Sequence, residues 1–131
     1  MVDIDRTDSD AAIQSWNKII AFYQDLVQER GWDFLQPLFL LVRRIAASEY
    51  AKTAYASTSM TALCVSLLPG FNPDSPNLVI SVDKEGLFEF ALCQTWGQPI
   101  ETQICSASHS YSVLESMMAQ LKKGTEKARC L

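Results

Sequence analysis

The chain has 131 residues, 48% of them apolar and 20% charged, with a formal net charge of −4. That size and composition suit one domain with a core of its own and exclude wholesale disorder. The acidic balance argues against nucleic acid as a partner, because neutralising phosphates needs clustered Lys and Arg. The basic clusters, Arg43-Arg44 and Lys122-Lys123 with Lys127 and Arg129, are short.

Residues 1–8 are polar and read as a loose tail, as do residues 125–131. The first residues are acidic and lack the apolar core of a secretory signal. The longest apolar run, 37–42, is far short of a membrane span and is followed by two arginines. We therefore expect a cytoplasmic protein with no membrane partner, in which Cys64, Cys93, Cys105 and Cys130 are reduced.

Asp8, Ser9 and Asp10 offer caps for a first helix. Ile13, Trp16, Ile20, Tyr23 and Val27 recur every three or four residues and mark one face, which Ile19, Phe22 and Leu26 widen. Gly31 suits the left-handed position after the helix, and Arg30 stands at the negative end of its dipole. A second helix follows closely. It starts either with a capping box of Asp33 and Gln36, or near Gln36 with Pro37 preset in the first turn. Leu38, Leu41, Val42 and Ile45 form its apolar face, and Arg43, Arg44 and Glu49 its wet side.

From Lys52 to Thr61 the chain turns to Thr, Ala, Ser and Tyr, with a short strand around Tyr55 and a turn at Ser57-Thr58-Ser59. Strands are then expected over 60–68, 77–82 and 87–93, where large apolar residues alternate with smaller or polar ones. Leu63, Val65, Leu67, Leu78, Ile80, Val82, Phe88, Phe90 and Leu92 form the bulky set. Residues 69–76 hold three of the five prolines and read as a loop. Asp83-Lys84-Glu85-Gly86 is a turn in which Gly86 takes a positive φ. A second turn at 95–99 leads to a strand over 100–105, then a polar cap and a last helix with Tyr111, Leu114, Met117 or Met118, and Leu121 inward. Gly124 is expected to end it.

Segregated helices and strands predict an α+β fold: two N-terminal helices, a mainly antiparallel sheet of four to five strands, and one C-terminal helix, with helices on one face of the sheet.

The chemistry is sparse. His109 is the lone histidine and Cys105 lies four residues before it, so a thiol nucleophile with His109 as base is the one catalytic pair available, oriented by Glu101 or Glu115. Its bland counterpart is a strand-end cysteine and a histidine in a helix cap. No C-x-x-C and no histidine pair suggests a metal, and no Gly-rich loop suggests a phosphate cradle, so neither metal nor cofactor is expected. Asp83 and Glu85 suit a turn and Glu89 a solvated sheet face better than acid–base work.

Partner binding has more support. Phe71 in the proline-rich loop and Trp96 in the second turn are large aromatics without an obvious core to enter, and such residues anchor interfaces. They could instead plug the sheet ends. The second face of the sheet, with Cys64, Val79, Leu87 and Ala91, is apolar enough to pair with a second copy or to be covered by the remaining helices. We therefore expect a small non-catalytic protein that binds another protein or itself, such as an inhibitor, an immunity-type protein or an adaptor. The alternative is a small-molecule-binding domain or a thiol enzyme using Cys105 and His109.

Overall fold

A computed structural model describes residues 4–70 and 72–129. The chain is α+β. Helices α1 (Ile4–Gln24) and α2 (Gln36–Ala46) precede strands β1 (Tyr55–Ser59), β2 (Ala62–Ser66), β3 (Asn77–Val82), β4 (Phe88–Thr95) and β5 (Gln98–Cys105), and α3 (Ser110–Arg129) follows. The strands form one antiparallel sheet in the order β1-β2-β3-β4-β5.

Period-two alternation sorts the side chains. Leu63 pairs with Ile80, Ile80 with Phe90, Leu78 with Leu92, and Val82 with Phe88, so the bulky set shares one face. All of these are buried, in one cluster with Trp16, Tyr23, Leu38, Val42, Leu114 and Met117 of the helices. Burying a side chain of this kind contributes about 1.5–3 kcal/mol, so this face turns to the helices.

α1 continues into a π-helical turn, Asp25–Glu29, and stops at Gly31 with φ 71°. The Trp32 N–H reaches back to the Leu26 carbonyl at 3.0 Å, one residue further than a Schellman motif would close, in keeping with the wider π-helical turn. The buried stripe of α1 is rotated from the expected one. Ala12, Trp16, Ile19, Tyr23 and Leu26 are buried, while Ile13 is exposed and Ile20 and Val27 lie half-buried. Two polar handles set the rotation. Trp16 Nε1 donates to the Ala54 carbonyl at 2.9 Å, and the Tyr23 hydroxyl donates to the Thr61 carbonyl at 2.9 Å.

α2 starts at Gln36 with Pro37 in its first turn, and no side-chain cap precedes it. Arg44 does not simply face water, because its guanidinium lies 3.8 Å from the centre of the Tyr111 ring and links α2 to α3.

Other expectations are corrected. Ser57, Thr58 and Ser59 are not a turn but belong to β1, and the turn is at Met60-Thr61. Met60 holds φ 57° at the hairpin tip and is 91% exposed. A methionine in this left-handed position gives no turn signal in the sequence. Nor does Gly124 end the last helix. α3 runs on to Arg129, and Thr125 within it is buried, so residues 125–129 are no loose tail. A Cβ at Gly124 would meet Pro76 at an ordinary contact distance of 4.0 Å, so close packing on the proline-rich loop does not require a glycine here. Residues 4–8 are likewise helical.

Replacing Trp16 by Phe keeps most of the ring and removes the donor to Ala54. The carbonyl left without its partner is expected to cost about 1–3 kcal/mol. This should appear as a lower urea midpoint at unchanged slope. An unaltered midpoint would mean that the indole bond does not hold α1 in place.

Candidate binding surface

All three α-helices pack on the bulky side of the sheet: α1 against β1, α2 against β3, and α3 over β3, β4 and β5. The opposite face carries no described helix. From the register it presents Ser57 and Ser59 of β1, Ala62, Cys64 and Ser66 of β2, Val79 and Ser81 of β3, Glu89 and Ala91 of β4, and Thr102 and Ile104 of β5. Apart from Glu89, Ile104 and Tyr55, which shares this face through its pairing with Ser66, these side chains are small, and among the described strand residues on this face Glu89 alone bears a charge. Met60 and Leu87, both exposed, stand at its rim.

Trp96 lies in the β4–β5 turn, 38% exposed. Its N–H donates to the Pro73 carbonyl at 2.8 Å, which ties this turn to the proline-rich loop. With Ser57, Ser59 and Cys64 it walls a cavity of about 340 Å³ on the helix-free face. The other aromatic candidate, Phe71, lies outside the described residues.

β5 reverses the polarity of its neighbours. Phe90 pairs with Gln103 and Leu92 with Glu101, so the polar residues of β5 point to the helix side, where both are half-buried. Ile104 pairs with Glu89 and points to the open face, 66% exposed. The register slips between Leu92 and Cys93, where Ile100 is left as an extra residue, 65% exposed. Sequence alternation showed the strand but not which set would face inward.

The catalytic candidates are not assembled. Cys105 lies half-buried opposite Phe88 on the helix side, and burial pushes its thiol pKa up. A nucleophile needs the reverse shift. His109 closes the short 3-10 turn Ala107–His109 and is exposed. Its Nδ1 lies 3.0 Å from Ser106 Oγ and 3.3 Å from Ser108 Oγ, and no described hydrogen bond joins it to Cys105. Asp83 shapes its turn, its carboxylate accepting the N–H groups of Glu85 and Leu87 at 2.9 Å each. Among the described residues no cluster of His, Cys, Asp and Glu is placed to hold a metal ion, and no helix is long and apolar enough to cross a membrane.

Among the described residues two buried polar atoms lack a partner. Asn77 Oδ1 sits beside a cavity of about 200 Å³ next to the proline-rich loop. Thr125 Oγ1 belongs to a cleft of about 460 Å³ between the short helix Glu49–Lys52 and α3, with Tyr50, Leu67 and Met118 as its apolar wall.

Cys64 and Cys93 are buried although they lie on the helix-free side. Burial first, and then the neighbouring Cys93, push the Cys64 thiol from its ordinary 9.0 up to about 11. The folded state therefore keeps a proton that the unfolded chain releases above the ordinary thiol value. The stability this gives is complete below that value and is lost as pH rises from 9.0 to about 11. The urea midpoint is expected to fall over this interval and to fall less steeply in Cys64→Ala. Parallel curves for the two proteins would refute the assignment.

Compared with known protein families, with curated proteins and with solved structures, the chain finds no match.

Proposed function

We propose that this chain is a non-catalytic protein that acts by binding another protein, a second copy of itself included, on the side of the sheet that no described helix covers. The observation that carries the proposal is the inverted β5. A strand that turns Gln103 and Glu101 toward the helices and leaves Ile104 in water forgoes burial that the opposite register would recover. Local rules broken in this way collect at functional surfaces. The low charge of the open face fits the centre of an interface, where charged residues are depleted.

The catalytic alternative draws nothing from the geometry of Cys105 and His109. A small-molecule reading draws on the cleft at Thr125, with its unpaired hydroxyl over an apolar wall. Native mass spectrometry of the purified protein separates the two, since retained extra mass would favour the cleft.

Partner binding is tested by capturing proteins from source cells on the tagged chain and on three variants. Ala91→Arg and Ser57→Arg place a charge on the open face. Leu40→Glu places one on an exposed position of α2. Ser57 is exposed, so its variant should keep the fold even if Ala91→Arg does not. The two face variants are expected to lose captured partners roughly tenfold or more, the effect of about 1.4 kcal/mol, while Leu40→Glu retains them. Equal retention by all three would sink the proposal.

A further inference from the structure

The two edges of the sheet are treated differently. At β1 the outer side is occupied, because α1 packs along it and the Ala56 N–H donates to Ser15 Oγ at 2.9 Å. At β5 no described strand pairs with the outer side. An unpaired edge presents a row of backbone donors and acceptors that only another extended strand satisfies in full. Pairing β5 of one copy with β1 of another would build open filaments, but α1 stands in the way. The pairing left to two copies is β5 with β5, an isologous contact that closes on itself.

We propose that the chain forms a two-fold symmetric dimer by antiparallel pairing of its β5 with β5 of a second copy. This deepens the binding reading above and rests on it, naming the second copy as an occupant and the strand edge as the place.

The register follows from β5 itself. Residues 101–105 pair regularly with β4, whereas Pro99 lacks an N–H and Ile100 sits in the bulge. Centring the two-fold on Gln103 pairs this regular stretch with itself. Glu101 then faces Cys105 of the second copy, Thr102 faces Ile104, and Gln103 faces Gln103. Centring on Glu101 would oppose like charges. Centring on Ile104 would run the ladder into Ser106 and the helical turn behind it. In the favoured register both helix layers lie on one side and both open faces on the other, so the shared face is continuous across the two-fold. Each Ile104 gains a Thr102 neighbour on its outer side.

The contact is small. A regular stretch of five residues on each copy is well below the roughly 20–30 residues a side of a standard stable interface, so the association should be weak and reversible. Each copy carries −4, so added salt should strengthen it by screening the repulsion.

Sedimentation velocity of the whole chain under reducing conditions, from micromolar to millimolar, tests this. A monomer–dimer equilibrium that salt strengthens, with no larger species, is expected. Ile104→Lys and Thr102→Glu each alter an exposed residue, and near-UV spectra should confirm that both variants are folded. Each alone should weaken the dimer about tenfold or more, and mixing the two should restore it, because residue 104 of one copy then faces the opposite charge at residue 102 of the other. A monomer at every concentration, a dimer indifferent to both substitutions, or a mixture no tighter than either variant would overturn the proposal. Species beyond the dimer would overturn the closure argument. Face-dependent partner capture in a monomeric chain would leave the binding reading standing and remove the dimer alone. Loss of both would remove both.

Discussion

The indole of Trp16 and the hydroxyl of Ser15 meet the backbone of Ala54 and Ala56, and these two bonds decide how the rest of the sheet can be covered. A sheet of five strands has two faces and two edges. α1 is held along the first edge, and α2 and α3 lie on the face that it flanks. The bulky alternating residues then have one side on which to be buried. The helix-free face and the β5 edge are what this closure leaves over.

The order of elements was legible because it rests on periodicity, and periodicity records which side of a segment meets water. Leu78, Ile80 and Val82 alternate as cleanly in the sequence as they are buried in the fold. The Asp83–Gly86 turn was legible because Gly86, at φ 86°, has a conformation few other residues tolerate. Three features escaped for physical reasons. The β1–β2 turn uses Met60 in a left-handed conformation, where sequence signals depend on Gly, Asn or Asp. The rotation of α1 is set by hydrogen bonds to Ala54 and Thr61 on either side of β1, 38 residues away, which no local window contains. The continuation of α3 past Gly124 buries Thr125, a tertiary effect that overrides helix propensity.

The candidate site was less legible than the fold. Alternation in β5 is as clear as in β3, but it is symmetric, and only the pairing partner decides which set is inside. The register with β4 places Gln103 against Phe90 and so sends Ile104 outward. The four-residue spacing of Cys105 and His109 was equally mute on orientation. A strand end and a short helical turn place one side chain toward the core and the other beside two serine hydroxyls. The buried thiols respond to the same environment in the opposite sense to a nucleophile. Burial withholds the thiolate, so these cysteines behave as small apolar side chains that fill the sheet.

An exposed strand edge carries a risk of uncontrolled pairing, and the features of β5 bear on how far that pairing can run. Pro99 removes a donor near the start of the strand, the bulge at Ile100 bends the ladder, and Glu101 opposes any register that would bring it against its own copy. What remains usable is a short regular stretch ending at Cys105, with the isoleucine at 104 as its one large apolar side chain. A strand protected only against aggregation would have carried a charge at that position, where any side chain is tolerated. An isoleucine there adds apolar surface to an edge whose other features all limit contact. Limited length with retained attraction is what a reversible, self-limiting contact requires, and neither property alone would account for the residues found in this strand.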